Sequence, residues 1–330
     1  MIEAEVVIVG GGPAGSTCAR ELNRRGINAI VLDKSDFPRP KLCAGWITPE
    51  VFETLELESY PHSLIRFERL HFHFFDLRMP VRTVQFSIRR IEFDQWLLQR
   101  AGVPVYRHTV YRIERSAGSY VIDGTFRCTY LVGAGGTYCP VYRCFFRDLY
   151  PRARKGMITT LEEEFEYDYS DSNCYLWFFD RGLPGYSWYV PKGNGYLNVG
   201  IGGVLETLKS RKRGIGEYWS CFIQKLETLA LVRNRIFHPR AYNYYLKQKQ
   251  ANVIRDNVFL VGDAAGLATR DMGEGIGPAV ESGLRAAAAI TQGGAYDAAS
   301  IPSYSVPGIL AAHLYRRKTR QVSPPRSPCR

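Results

Sequence analysis

Two short apolar runs near the amino terminus flank a glycine-rich turn. Residues 5–9 read EVVIV, a run typical of a strand buried on both faces of a parallel sheet. The pattern that follows predicts a helix over 16–25, closed by Gly26, and a second strand over 29–32. A strand, a glycine turn, a helix and a strand in close succession predict the βαβ unit of a dinucleotide-binding sheet.

Apolar segments far along the chain are predicted to complete this sheet. Near-helical spacing predicts a helix over 90–100, and apolar runs predict strands over 130–133 and 258–263. The alanine-rich segment 278–290 predicts a further helix. The first domain is therefore predicted to be discontinuous, formed by residues 1–59, 90–150 and 251–300.

The middle of the chain has a different pattern. Residues 165–196 hold eleven aromatic residues, partly at alternate positions, which predicts antiparallel strands. Alternating apolar residues over 60–89 are predicted to join the same sheet. The acidic run 162–164 is interpreted as a solvated strand edge. The predicted fold class is α/β with an α+β insertion: a Rossmann-type domain with a parallel sheet, plus an inserted antiparallel β-sheet substrate domain formed by residues 60–89 and 151–250.

Positive charge is concentrated at the carboxyl terminus. The 330 residues include 43 Lys and Arg against 32 Asp and Glu, and residues 301–330 supply six positive charges and no negative one. Because this charge forms a basic C-terminal tail rather than a face with interleaved aromatic residues, no nucleic-acid binding is expected. Residues from 321 onward are predicted to be disordered.

Several other classes of protein are excluded by the sequence. No stretch approaches the roughly 20 apolar residues that cross a bilayer, and the amino terminus lacks the features of a secretory signal. A cytoplasmic protein is expected, with peripheral membrane contact left open. The eight cysteines are scattered, so free thiols are expected, and His71 and His73 near Asp76 lack a third firm ligand, so no metal is expected.

The glycine turn predicts a site for a dinucleotide. Residues 10–15 (GGGPAG) supply G-x-G-x-x-G at the junction of strand and helix, where backbone approaches a diphosphate closely. Asp33 ends the second strand, where a carboxylate accepts hydrogen bonds from a ribose hydroxyl. The residues predicted to bind the dinucleotide here are Gly10, Gly12, Pro13, Ala14, Gly15, Asp33 and Lys34.

A second glycine-rich segment favours FAD over NAD. Residues 258–266 (VFLVGDAAG) place Asp263 at the carboxyl end of a late strand, where it reaches the ribityl chain and diphosphate of an extended FAD. The loop 272–278 (MGEGIGP) then leads into a helix whose positive end would face the flavin ring and stabilise its reduced, anionic form. Gly273, Gly275 and Ile276 are the predicted contacts in this loop.

Five ordered motifs resemble one family of flavoproteins. They are residues 38–46 (PRPKLCAGW), 90–94 (RIEFD), 186–193 (YSWYVPKG), 198–200 (NVG), and the segment from VFLVGDAAG to GEGI. Together with the glycine turn they resemble FAD-dependent oxidoreductases of the geranylgeranyl reductase type, within the p-hydroxybenzoate hydroxylase-like superfamily. The resemblance extends from Val6 to about Ile290.

The resemblance implies a set of site residues and a reaction. Members of the family reduce double bonds of prenyl chains, so a hydrophobic isoprenoid substrate is implied. FAD is implied to contact Ala14, Asp33, Cys43, Ala44, Gly45, Ile47, Arg90, Val110, Asp263, Gly275 and Ile276. The substrate wall is implied to contain Trp46, Tyr186, Trp188, Tyr189 and Pro191.

Reduction of an alkene needs a hydride from flavin N5 and a proton from a weak acid. Cys43 is the candidate acid, because a thiol is a weak acid and Lys41 is close in sequence. The alternative is that Cys43 only packs against the flavin, with Tyr186 or Tyr189 as other donors. No second glycine fingerprint follows, so NAD(P)H is expected to dock transiently, or reduced ferredoxin to deliver electrons. The basic surface suits an acidic electron-carrier protein, anionic lipid or a diphosphate head group.

Two other functions are compatible with these motifs. The first is a flavin monooxygenase that hydroxylates an aromatic or polyketide substrate, although residues 133–140 (GAGGTYCP) lack the Asp-Gly pair usual in such hydroxylases. The second is a membrane-surface flavoprotein that passes electrons to quinone. Its support is segment 309–315 followed by Arg316-Arg317-Lys318, for which an ordinary terminal helix is the favoured interpretation.

Overall fold

The computed structural model describes residues 1–116, 118–248, 253–302 and 306–310, and its strands form two sheets. The strands are β1 (Ile2–Val9), β2 (Ala29–Asp33), β3 (Trp46–Ile47), β4 (Ile65–Phe74), β5 (Leu77–Ser87), β6 (Val105–Arg107), β7 (Ile113–Ser116), β8 (Ser119–Ile122), β9 (Phe126–Gly133), β10 (Met157–Glu166), β11 (Cys174–Phe178), β12 (Gly185–Lys192), β13 (Tyr196–Val204), β14 (Arg240–Tyr245), β15 (Ile254–Arg255) and β16 (Val258–Leu260).

Helices cover parts of both sheets. The α-helices are α1 (Pro13–Arg24), α2 (Pro49–Thr54), α3 (Arg90–Ala101), α4 (Pro140–Phe145), α5 (Leu205–Ser210), α6 (Ile215–Thr228) and α7 (Ile276–Gln292). Short 3-10 helices span Leu57–Ser59, Gly136–Tyr138, Arg154–Gly156, Asp180–Gly182 and Gly262–Ala264. Among the residues described, no helix is both long and apolar enough to cross a membrane.

The first sheet has the predicted Rossmann-type arrangement. Its strand order is β15-β16-β9-β1-β2-β6, and β1 pairs in parallel with both β2 and β9. β16 pairs in parallel with β9, while the β7–β8 hairpin joins β9 antiparallel. Strands from distant parts of the chain therefore complete one sheet, and the predicted α/β class is confirmed.

Helix α1 begins unusually close to the end of β1, and this requires glycine. A Cβ on Gly15 would lie under 3.0 Å from the carbonyl oxygen of Gly10, closer than folded proteins tolerate. Pro13 at the start of the helix loses no hydrogen bond there, because the first helical N–H groups have no partner within the helix. The first N–H groups of α1 have no partner within the helix, so they are available to a ligand.

The second sheet is mostly antiparallel, as predicted for the insertion. Its strand order is β14-β10-β13-β12-β11-β4-β5-β3. The pairing of β11 with β4 is parallel, which the alternating pattern did not reveal. Strand β3, from the segment that we assigned to the first domain, pairs with β5 in this sheet.

The two faces of the second sheet have different neighbours. Tyr189 on β12 is fully buried in a cluster with Leu197 and with Phe222 of α6. The adjacent Trp188 belongs to another cluster, with Phe72 and Leu176, on the other face. Because side chains alternate along a strand, α6 covers one face and the other face is left to form a cavity.

Gly200 allows the Trp188 indole to lie flat on the sheet, and its replacement tests this packing. Gly200 pairs with Trp188 across β12 and β13, and a Cβ there would lie under 3.0 Å from the indole ring. We expect Gly200→Ala to lower the free energy of unfolding by about 1–3 kcal/mol, because the rigid ring must move. Urea denaturation measures the change. Gly203→Ala, on the same strand with only ordinary contacts, is the control, and equal midpoints for the two variants would contradict the prediction.

Candidate functional site

A cavity of about 1100 Å³ is lined by residues of both sheets. This volume exceeds the range of roughly 300–1,000 Å³ for a typical small-molecule site, so the cavity has room for a dinucleotide and part of a second ligand. The predicted site residues on its wall are Gly10, Gly12, Pro13, Ala14, Asp33, Lys34, Cys43, Ala44, Trp46, Arg90, Val110, Tyr186, Trp188, Asp263, Gly273, Gly275 and Ile276.

The glycine turn forms one end of the cavity. Gly10 has a φ of 116°, and a Cβ there would collide with the backbone of Ala134. Gly12 differs, because the nearest atom to its Cβ position is Nη2 of Arg39, at 3.6 Å. Its missing side chain leaves open space beside the amino-terminal end of α1. That space suits a diphosphate, which the helix dipole stabilises.

Asp33 is fixed at the same end of the cavity. Its Oδ2 accepts a hydrogen bond of 2.8 Å from the backbone N–H of Gly11, and its Oδ1 accepts one of 2.9 Å from Ser35. A carboxylate accepts more hydrogen bonds than these two, so Asp33 retains capacity for a ribose hydroxyl. The position fits the adenosine side of FAD.

Arg39 is a site residue to which the sequence analysis gave no role. Its guanidinium lies 4.0 Å from Asp33 and 3.6 Å from Asp94, while Arg90 makes two hydrogen bonds to Asp94 of 2.6 and 2.8 Å. This chain of charges joins the glycine turn to the middle of the cavity. Arg39 would therefore place a positive charge against the diphosphate. Its position in the motif at residues 38–46 could have identified Arg39 as a site residue from the sequence.

The loop before α7 forms the middle of the cavity. Gly273 has a φ of 60° and packs against the Tyr244 hydroxyl so closely that a Cβ would collide with it. The Glu274 carboxylate accepts a hydrogen bond of 2.6 Å from Gly277 at the start of α7, and burial raises the pKa of this carboxyl to about 7. With Asp263 beside Gly275, these residues would hold the ribityl chain and ring of the flavin.

Cys43 lies half-buried on the cavity wall. Its Sγ accepts a hydrogen bond of 3.3 Å from the backbone N–H of Gly45, and the Arg90 guanidinium interacts electrostatically with the thiol. Lys41, which we expected near the thiol, instead places its ammonium 3.2 Å from the centre of the Tyr242 ring. The cation next to Cys43 is therefore Arg90.

Aromatic residues line the far end of the cavity. The Trp188 Nε1 donates a hydrogen bond of 2.6 Å to Asn198, and Tyr186 donates one to the carbonyl of Met272. Trp46 is held by a hydrogen bond of 2.6 Å from its Nε1 to Gln85. Each indole or phenol thus has its polar atom bonded to protein, and the ring faces remain available to an apolar ligand.

The structure places five of the listed site residues away from the cavity wall. Tyr189 and Pro191 alternate with Trp188 along β12, so they face the opposite side of the sheet, where the Tyr189 hydroxyl bonds the carbonyl of Asp171. Ile47 is fully buried in a separate apolar cluster. Gly15 and Gly45 act through backbone packing, because a Cβ at either would collide with a neighbouring carbonyl.

The interpretation of residues 162–164 as a solvated strand edge was wrong. Strand β10 lies between β13 and β14, and Glu162 is only 2% exposed on the cavity wall. Glu163 is paired with Arg235, and Glu164 with Lys192 and Arg89. Three adjacent acidic residues suggest an exposed strand edge when the order of the strands is unknown. The sequence alone therefore did not reveal that β10 lies inside the sheet.

The Glu162 carboxyl is a buried acid directed at the cavity. In the part of the chain that the structure describes, its carboxylate makes no hydrogen bond or ion pair. Burial raises the pKa of Glu162 to about 7, and the more distant charges of Lys192, Lys41 and Arg90 oppose that rise. Glu162 therefore exchanges a proton near neutral pH.

This raised pKa predicts a pH-dependent cost in stability. Between the ordinary glutamate pKa of 4.5 and about 7, the folded protein keeps a proton that the unfolded chain has lost, so stability falls as pH rises. We expect Glu162→Gln to remove this penalty and to stabilise the apoprotein by about 2 kcal/mol more at pH 8 than at pH 5. Urea denaturation at both pH values measures it. The exposed Glu166→Gln is the control, and equal gains at both pH values would contradict the prediction.

Comparisons with known proteins find flavoprotein relatives of this chain. Residues 3–59 match the FAD binding domain family. The chain is 33% identical over 313 residues to an uncharacterized protein of Methanosarcina barkeri, covering 88% of this chain and 75% of that protein. It is 29% identical to menaquinone reductase of Mycolicibacterium smegmatis (95% and 81% covered) and 26% identical to digeranylgeranylglycerophospholipid reductase 3 of Methanosphaera stadtmanae (97% and 86%).

Solved structures share the fold. A geranylgeranyl bacteriochlorophyll reductase-like protein from Thermoplasma acidophilum superimposes with a TM-score of 0.77 at 21% identity, covering 97% of this chain and 84% of that one. The probable FAD-dependent monooxygenase PqsL of Pseudomonas aeruginosa has a TM-score of 0.69 at 17% identity, covering 96% and 93%. At these identities the likeness concerns the fold alone.

The fold, the glycine turn and the family match together define an FAD-dependent oxidoreductase. Asp33, Arg39 and the α7 loop border one continuous cavity, and these residues would hold the FAD. Within that class, the chain belongs to the geranylgeranyl reductase family.

Proposed function

We propose that this protein reduces C=C bonds of an isoprenoid chain, with hydride transferred from flavin N5. The observation that carries the proposal is the continuity of the cavity, whose aromatic end at Trp188 joins the FAD-binding end and contains the buried acid Glu162. A long apolar chain requires such a wall, and alkene reduction requires a proton source within it. Relatives that are named as reductases of menaquinone and of a digeranylgeranyl lipid support this substrate class.

The residues of the cavity have separable roles in this proposal. Bound FAD would supply the hydride, and Arg39 and Asp33 would hold its diphosphate and ribose. The aromatic wall excludes water and orients the chain. Glu162 holds the proton at its carboxyl and gives it to the second alkene carbon, leaving a carboxylate that solvent reprotonates after the product has left. Cys43 is the alternative donor, and its thiol interacts electrostatically with Arg90.

The source of electrons is a separate part of the proposal. NAD(P)H docking transiently at the cavity, or reduced ferredoxin, would reduce the flavin. The formal net charge of +11 supports encounter with an acidic electron-carrier protein, because opposite charges speed association. Stopped-flow reduction by each donor, at low and high salt, distinguishes them: only ferredoxin is expected to slow strongly with salt.

Anaerobic turnover with defined prenyl compounds tests the function. The FAD-loaded protein is reduced without oxygen and offered a digeranylgeranyl lipid, menaquinone and geranylgeranyl diphosphate. We expect a mass gain of two hydrogens for each flavin reoxidised. Oxygen consumption with a hydroxylated product would establish the monooxygenase instead. Conversion of quinone to quinol with an unchanged side chain would establish electron transfer alone.

A further inference from the structure

Three large apolar side chains are exposed at one end of the second sheet. Phe75 and Leu77, in and after the turn that joins β4 to β5, are 78% and 61% exposed, and Phe179 after β11 is 47% exposed. Strands β4 and β11 are parallel, with Phe74 in register with Phe178. The residues that follow each strand therefore emerge at the same end of the sheet.

This end of the sheet is also a mouth of the cavity. The Phe74 and Phe178 rings stack at 4.7 Å, and both line the cavity. Phe179 lines the cavity as well and is half exposed to solvent. The exposed apolar residues therefore continue the apolar wall of the substrate end outward. A substrate chain that extends out of the cavity at this mouth contacts these apolar side chains.

The basic tail starts beside this mouth. Val306 lines the cavity, and Ile309 and Leu310 pack in the same apolar cluster as Phe74 and Phe178. The described chain ends at Leu310, and the sequence of residues 311–330 contains six Lys and Arg and no Asp or Glu. The sequence that continues from this mouth beyond Leu310 is therefore strongly basic.

We propose that this end of the second sheet docks on an anionic lipid bilayer. Phe75, Leu77 and Phe179 would enter the boundary between head groups and acyl chains, and the basic tail would contact the anionic head groups. An exposed apolar tip, next to the point where a basic segment of the sequence begins, matches such a surface. If the proposed function holds, the prenyl chain then enters the cavity directly from the bilayer without crossing water.

Vesicle sedimentation of the full-length, FAD-loaded protein tests the docking. Vesicles of phosphatidylglycerol and phosphatidylcholine in equal parts are compared with phosphatidylcholine alone. We expect wild type to prefer the anionic vesicles, and Phe75→Asn with Leu77→Ser to weaken binding about tenfold. Asn suits the left-handed backbone at Phe75. The control pair is Leu229→Ser with Ile236→Ser, which are exposed apolar residues elsewhere and should change nothing.

A second variant tests the contribution of the tail. Replacing Arg316, Arg317 and Lys318 by Gln should weaken binding to anionic vesicles on the order of a hundredfold, at roughly fivefold for each basic residue near the surface. Undiminished binding by the Phe75 and Leu77 variant would overturn the proposal. So would tighter binding of the tail variant to neutral vesicles, because the tail would then be covering the apolar tip.

Different experimental results would contradict the docking and the proposed function. Reduction of a short prenyl alcohol in detergent solution should be the same for the Phe75 and Leu77 variant and wild type, whereas reduction of a lipid within vesicles should fall. If wild type reduces neither substrate but sediments as expected, the function is wrong and the docking stands. If neither wild type nor any variant sediments with vesicles, but all of them reduce the soluble substrate, the docking is wrong.

Discussion

Gly12→Ala is expected to weaken FAD binding about a hundredfold while the apoprotein folds normally. The backbone at Gly12 has a φ of −76° and a ψ of −175°, which any residue adopts, and the new Cβ meets nothing closer than Arg39 at 3.6 Å. The methyl group therefore fits the empty turn but occupies space beside the diphosphate. An overpacking cost of roughly 1–3 kcal/mol corresponds to a loss of up to about a hundredfold in affinity.

Quenching of FAD fluorescence gives the affinity, and thermal unfolding of the apoprotein reports the fold. Gly216→Ala is the matched control, because its Cβ meets no atom within 4 Å and lies in α6, where alanine favours the helix. Gly10→Ala should behave differently from both, since its Cβ collides with protein backbone and destabilises the apoprotein itself. Unchanged FAD affinity in Gly12→Ala would show that the diphosphate does not lie at this turn.

Local patterns predicted the parts of the fold that depend on short-range geometry. The βαβ unit follows from apolar runs around glycines that the turn requires, and α3 was predicted over 90–100 and spans Arg90–Ala101. The helix predicted over 278–290 begins earlier, at Ile276, because the glycine loop before it ends in the cap residue Gly275. Sequence patterns that span about twenty residues were sufficient to predict these elements.

The remaining features depend on pairing between distant segments. Whether Trp188 or Tyr189 faces the cavity depends on which side of the sheet α6 covers, and the sequence of β12 does not state that. The burial of Glu162 likewise depends on β14, which joins β10 from almost eighty residues away. Arg39 acquires its role through contacts with Asp33 and Asp94, which become neighbours only after folding.

Glu162→Gln is expected to reduce the rate of alkene reduction on the order of a hundredfold at pH 6, with FAD binding unchanged. Glutamine keeps the size of the side chain but gives no proton, and a positioned general acid contributes about 10²–10⁴ to a rate. Single-turnover oxidation of the reduced flavin by substrate, measured without oxygen, gives the rate. Glu166→Gln, on the same face of β10 but exposed, should keep the wild-type rate.

The pH dependence separates a proton donor from a residue that only shapes the cavity. Burial raises the pKa of Glu162 to about 7, and the donor must be protonated, so the wild-type rate should be constant at low pH and fall about tenfold for each pH unit above 7. Glu162→Gln should lose this fall, whereas a variant that merely distorts the wall would be slow yet keep it. Cys43→Ala should keep the fall too, because the acid is still present. If Cys43→Ala loses it and Glu162→Gln retains it, the proton comes from the thiol, and Glu162 serves only to line the cavity.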